Sequence, residues 1–134
     1  MTTTRITIAG GGLGGALMAK YLGLAGHQVA LFERRPDIRA VEIVRGRSIN
    51  LAVSTRGLTA LNEVGLKEKV LEEAVPMRGR MMHAVDGKLT FQPYSKNPEE
   101  CIQSISRGGL NQLLVTEAGK HENVSLHFEQ RCID

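Results

Sequence analysis

The chain has 134 residues, the size of one ordinary domain and enough to bury a core without disulfide or metal staples. Its 42% hydrophobic and 23% charged residues fit a folded α/β protein and exclude disorder. The net charge of +3 comes from Lys and Arg interleaved with Glu, with no aromatic ladder, so nucleic acid is not an expected partner.

Residues 5–9 read as a strand, with β-branched Ile6 and Ile8 stopped by a glycine run. Residues 13–25 read as a helix with an apolar stripe of Leu17, Tyr21, Leu22 and Leu24, ended by Gly26. Residues 28–33 form a second strand, and its continuous apolar run suits a parallel strand covered on both faces. Strand, helix and strand in about thirty residues make a βαβ unit. Residues 34–46 read as a loop with Pro36, and residues 48–53 as extended chain. Ser54 is placed to cap a helix running to about Val64, Gly65 breaks it, and residues 66–73 make a second short helix. Residues 80–85 and 88–92 read as a hairpin turning at Asp86-Gly87. A polar loop follows, then extended chain at 102–105. A helix opens at Arg107 or Gly108 with Leu110, Leu113, Leu114 and Ala118 on its apolar side. Residues 124–128 read as a last strand. The chain stops soon after it, which predicts a fragment of a longer protein.

Cys101 and Cys132 stand at neither metal nor redox spacing and are expected to be free thiols in a reducing, cytoplasmic setting. The four His residues are scattered, so no metal is expected. No signal peptide or membrane-crossing segment is legible in this chain.

The chemistry is concentrated at the first strand–helix junction. Gly10, Gly12 and Gly15 form G-x-G-x-x-G. The first permits a tight turn, the second lets a pyrophosphate approach the backbone, and the third lets the helix pack closely on the sheet. The helix start offers free N–H groups and a favourable dipole end. Glu33 follows about twenty residues later, at the end of the second strand, where an acid can accept from ribose hydroxyls. Glu33 would repel a 2′-phosphate and so disfavours NADP. Arg34 and Arg35 either lie against an adenine or are solvated. On these residues FAD and NAD are both open, as is a non-catalytic nucleotide-binding module.

Five further blocks are more specific. They are Leu31-Phe32-Glu33-Arg34-Arg35-Pro36-Asp37, Arg45-Gly46-Arg47-Ser48-Ile49-Asn50-Leu51-Ala52, Pro76-Met77-Arg78-Gly79-Arg80-Met81, Gln92-Pro93-Tyr94, and Ser104-Ile105-Ser106-Arg107 followed by Leu110-Asn111. Through them essentially the whole chain resembles the kynurenine 3-monooxygenase family of class A FAD-dependent aromatic hydroxylases. The resemblance implies a Rossmann-like FAD-binding βαβ domain with a parallel sheet and a small β-hairpin, truncated, in which residues 76–106 begin the substrate-contacting region. It implies FAD as cofactor, NADPH and O₂ as co-substrates, and hydroxylation of L-kynurenine to 3-hydroxykynurenine. Gly14, Phe32, Glu33, Arg34 and Arg35 match the family's contacts to the ADP half of FAD. Ala52, Arg107 and Cys132 match further FAD contacts. Arg80 and Tyr94 match the pair that grips the substrate carboxylate, chemistry that suits a guanidinium fork and a phenol. The flavin carries the reaction, so no catalytic triad or acid pair is expected. The family's later Asp-Gly and Gly-Asp stretches are missing from the sequence. The chain alone is therefore expected to be inactive, and its uncovered apolar surface and sheet edges to favour self-association.

Overall fold

The computed structural model describes residues 3–41 and 49–133. In chain order the elements are β1 (Arg5–Ala9), α1 (Leu13–Leu24), β2 (Gln28–Phe32), β3 (Asn50–Val53), α2 (Thr55–Glu63), α3 (Lys67–Glu73), β4 (Val75–Met77), β5 (Gly79–His83), β6 (Leu89–Pro93), β7 (Ile102–Ser106), α4 (Arg107–Ala118) and β8 (Val124–His127). Arg45, Gly46, Arg47 and Ser48 lie outside the described residues. No described helix is long and apolar enough to cross a membrane.

The chain divides into two compact units. One gathers the residues before Asn50 and after Ser106. Its sheet is wholly parallel, in the order β1-β2-β8, with Ile6 beside Val29 and Val29 beside Val124. Helices α1 and α4 pack together and cover one side of this sheet. The core there joins Ala19, Val29, Leu31, Ala118 and Val124, with Ile8, Leu22 and Leu126 against it. The α1 face that packs is only partly the leucine stripe: Ala16, Ala19, Lys20 and Gly23 are buried and Leu22 lies against the core, while Leu17 and Tyr21 are half-buried and Leu24 is 52% exposed. The reason is proximity. A Cβ at Gly23 would come within 2.8 Å of Val124 Cγ2, so only small side chains fit where α1 meets its neighbours. Strand β2 is likewise covered on one face only. Val29 and Leu31 are buried, whereas Ala30 and Phe32 on the opposite face are partly exposed.

The second unit spans Asn50–Ser106. A three-stranded antiparallel sheet in the order β3-β7-β4 packs with α2 and α3 over Val53, Leu61, Val64, Leu66, Val70 and Ile105. Strand β4 has no counterpart in the sequence reading. Ser54 stands at the N-cap of α2, but its side chain makes no capping bond. The expected hairpin is present as β5 and β6, with Arg80 opposite Gln92 and Gly87 at φ +84° in the turn. It is exposed along its length, including Met81, Leu89 and Phe91.

Candidate functional site

The site lies where nucleotides bind in open parallel sheets, beyond the carboxyl ends of the strands. There an open crevice of about 600 Å³ is lined by Ala9, Gly10, Gly12, Phe32 and Glu33, and on its other side by Arg34, Arg35, Gln130, Arg131 and Cys132. Gly10 leaves β1 at φ +110°, a conformation open to glycine, and its N–H donates to the Phe32 carbonyl at 2.7 Å. Gly12 is the N-cap of α1, so the N–H groups of the first turn have no carbonyl within the helix. Gly15 sits against the turn: a Cβ there would overlap the Gly10 carbonyl oxygen and lie 3.3 Å from Ile8 Cγ2. Gly12 differs. Its φ of −73° suits any residue, and a Cβ there would meet nothing within 4 Å. The chain's own packing therefore gives no reason for glycine at 12, whereas close approach of a ligand does.

Glu33 is 6% exposed. Its Oε2 accepts from the Gly11 N–H at 2.7 Å, and its Oε1 accepts from the Arg35 N–H at 2.9 Å and Arg35 Nε at 2.8 Å. The Arg35 guanidinium bond, opposed by burial and helped by the backbone N–H groups of Arg35 and Gly11, lowers the Glu33 carboxyl to about 2. Glu33 thus faces the crevice as an anion already engaged. A sugar hydroxyl would compete with Arg35, whose side chain is 61% exposed, rather than with Gly11.

The segment after β8, which turns at Glu129 (φ +57°), completes the wall. The Glu33 N–H donates to the His127 carbonyl, and the Gln130 N–H to the Glu33 carbonyl. Phe32 and His127 stack with ring centroids 4.7 Å apart, fixing the ends of β2 and β8 together. Arg34, Arg35 and Arg131 then make three cations around one carboxylate, a balance that suits an anionic ligand.

Gly10, Gly12, Phe32, Glu33, Arg34, Arg35 and Cys132 are thus brought to one crevice, and Gly14 and Gly15 follow in the first turn of α1. Arg107 belongs to the same unit. It opens α4, and its N–H donates to the Ile49 carbonyl at 3.1 Å. Ala52, Arg80 and Tyr94 belong to the other unit. Within it, Arg80 pairs with Gln92 through Nε–Oε1 at 2.8 Å, and strand alternation puts Tyr94 on the same hairpin face as Arg80.

The sequence reading assigned no role to Asn111, Gln130 or Arg131. Asn111 is 6% exposed, donates from Nδ2 to the Gly11 carbonyl at 3.2 Å, and has an Oδ1 with no partner. The available signal was a polar residue set among Leu110, Leu114, Val115 and Ala118, a face on which Glu117 is buried as well.

The crevice fits the diphosphate and ribose of a dinucleotide: free helix-start amides, an open Gly12, a buried acid and a cationic rim. Comparison with known proteins agrees. The profile of a family described as FAD binding domain matches residues 3–133. The chain is 49% identical over 128 residues to a protein of Anopheles gambiae named kynurenine 3-monooxygenase, covering 96% of this chain and 26% of that one. It is 50% identical over 129 residues to a protein of that name from Myxococcus xanthus (strain DK1622), covering 96% and 28%. Among solved structures it resembles 2-methyl-3-hydroxypyridine-5-carboxylic acid oxygenase, with a TM-score of 0.72 and 25% identity over 96% of this chain and 32% of that one. The chain spans about a quarter of the length of the curated relatives it matches.

Proposed function

This chain belongs to the FAD binding domain family, and on that footing we propose that it supplies the ADP-binding part of a longer flavin monooxygenase that hydroxylates L-kynurenine to 3-hydroxykynurenine. The observation that carries the cofactor half of this reading is the open, glycine-walled crevice with Glu33 at its back. The ring substrate follows from the name shared by relatives that match at 49% and 50% identity. A flavin held there would supply the redox chemistry that couples NADPH and O₂ to ring hydroxylation.

The chain's own residues bind and orient. Gly10, Gly12, Gly14 and Gly15 present backbone amides and close approach to the diphosphate. Glu33 accepts from the ribose diol, with Phe32, Arg34 and Arg35 around the adenosine. Ala52, Arg107 and Cys132 add further cofactor contacts. Arg80 and Tyr94, on one face of the hairpin, hold the substrate carboxylate by a charged fork and a phenol hydrogen bond. Residues 76–106 are then the start of the substrate-contacting region within the amino-terminal part of the flavin domain. The two unpaired thiols, Cys101 and Cys132, support a cytoplasmic setting. The exposed Met81, Leu89 and Phe91 and the edge strands β1 and β8 support self-association of the chain by itself.

The test is NADPH oxidation by the longest polypeptide that carries this chain, with and without L-kynurenine, with hydroxylated product measured. Kynurenine-dependent oxidation and product are expected. A flavin-free protein, or one indifferent to kynurenine, would refute the reading. The chain alone should show no turnover and should elute above monomer size.

A further inference from the structure

The glycine turn separates two spaces. Gly12 lines the open crevice, while Gly11 and Asn111 line an adjoining, mostly apolar cavity of about 270 Å³ with Pro36, Ile38 and Phe128, and Glu33 and Arg35 line both. Gly11 is held from both ends of its backbone. Its N–H donates to Glu33 Oε2 on the β2 side, and its carbonyl accepts from Asn111 Nδ2 on α4.

In a trans peptide the carbonyl of one residue and the N–H of the next point in opposite directions. No peptide bond among the described residues is cis. Fixing the Gly11 carbonyl toward Asn111 therefore turns the Gly12 N–H away from α4, toward the crevice wall that Gly12 forms. That N–H has no partner among the described residues. Glycines on both sides of this peptide leave it free to rotate, so its orientation has to be imposed from outside the turn.

We propose that Asn111 is a positioning residue for the anion site: from α4 it locks the Gly11–Gly12 peptide so that the Gly12 N–H faces the incoming diphosphate. The inference rests on the diphosphate reading of the crevice. Stability alone does not account for Asn111. Its Nδ2 gains one bond, but its buried Oδ1 has none, and an orphaned buried acceptor offsets what a single neutral hydrogen bond contributes. A near-isosteric Leu would remove both the bond and the orphan. What it could not supply is direction to the peptide.

The experiment is titration of ADP into the full chain and its Asn111→Leu variant, with thermal unfolding of both and the ¹⁵N–¹H signal of Gly12 followed through the titration. Asn111→Ala repeats the loss of the donor without the bulk of leucine. The expected result is at least a tenfold rise in Kd for both variants, an unfolding midpoint for Asn111→Leu within a few degrees of the parent, and a Gly12 amide that shifts on ADP addition in the parent only. Equal affinity in parent and variants would overturn the positioning role and leave the crevice reading intact. Loss of affinity that tracks a lowered midpoint would also overturn it, as a merely structural role. A parent that binds no ADP would overturn both.

Discussion

Two glycines three residues apart should respond in opposite ways to the same methyl group. At position 15 a Cβ would overlap the Gly10 carbonyl oxygen and stand 3.1 Å from the carbonyl carbon. That carbonyl cannot yield freely, because the N–H of the same peptide, that of Gly11, is bonded to Glu33 Oε2 at 2.7 Å. Overpacking of this kind costs up to about 3 kcal/mol. Alanine's advantage over glycine inside a helix returns about 1 kcal/mol. Gly15→Ala should then destabilise the chain by about 2 kcal/mol, lowering its unfolding midpoint by about 10 °C. At position 12 nothing lies within 4 Å and φ is −73°. The gain from a stiffer unfolded chain there is about 0.5 kcal/mol, and alanine's weakness as an N-cap cancels it. Gly12→Ala should leave the midpoint within about 2 °C while raising the Kd for ADP at least tenfold. Circular dichroism melts and calorimetric titration with ADP separate the two effects. If Gly12→Ala melts as early as Gly15→Ala, or binds ADP as tightly as the parent, the assignment of one glycine to packing and the other to ligand approach is wrong.

Further tests follow from charge and contact. Glu33 has its carboxyl lowered to about 2 against an ordinary 4.5, so the folded state binds its proton less readily than the unfolded chain. The stability it adds is present above pH 4.5 and is lost as pH falls toward 2. Glu33→Gln should flatten the melting midpoint against pH in that window. His121 Nε2 accepts from Lys20 Nζ at 2.9 Å, and burial, then Lys20, lower its pKa against the opposing pull of Glu117. The stability it adds is present above pH 6.5 and falls on acidification below it. His121→Gln should remove that slope between pH 7 and 5. In the longer protein, Tyr94→Phe should raise the KM for the amino-acid substrate about tenfold with kcat little changed, the signature of lost ground-state binding. An unchanged KM would remove Tyr94 from the substrate site.

The glycine turn, β1, β2 and the hairpin were legible because each carries a local rule: a motif at fixed spacing, β-branched runs, an Asp-Gly turn. Helix α1 was legible as a helix but not in its orientation. Periodicity pointed to Leu17, Tyr21, Leu22 and Leu24, of which Leu22 lies against the core and Leu24 is exposed, whereas close approach to β8 and α4 buries Ala16, Ala19 and Gly23 most deeply. Strand β4 is three residues with Pro76 at its centre, too short for any alternation, and it exists through pairing with β7. Burial of Glu33 could be foreseen only in part. Its place at a strand end was visible, but its capture by the Gly11 N–H and by Arg35 depends on how the turn folds back. Asn111 depends on a contact one hundred residues away in sequence, which no window along the chain contains.

Strand β2 is complete at Phe32 and has β1 beside it, yet its second parallel neighbour begins at Val124. As a nascent polypeptide leaves the ribosome, the contiguous unit at Asn50–Ser106 has all its strands and helices available before that neighbour has been translated. The nucleotide crevice must wait. The Asn111 clamp on Gly11 and the Asn123 bonds to the carbonyls of Gly23 and His27 all join late-synthesised residues to early ones. Closing so long a span is slow relative to local pairing. Throughout that interval β2 has one side edge without its partner, a window in which chaperone engagement or a rival strand could intervene.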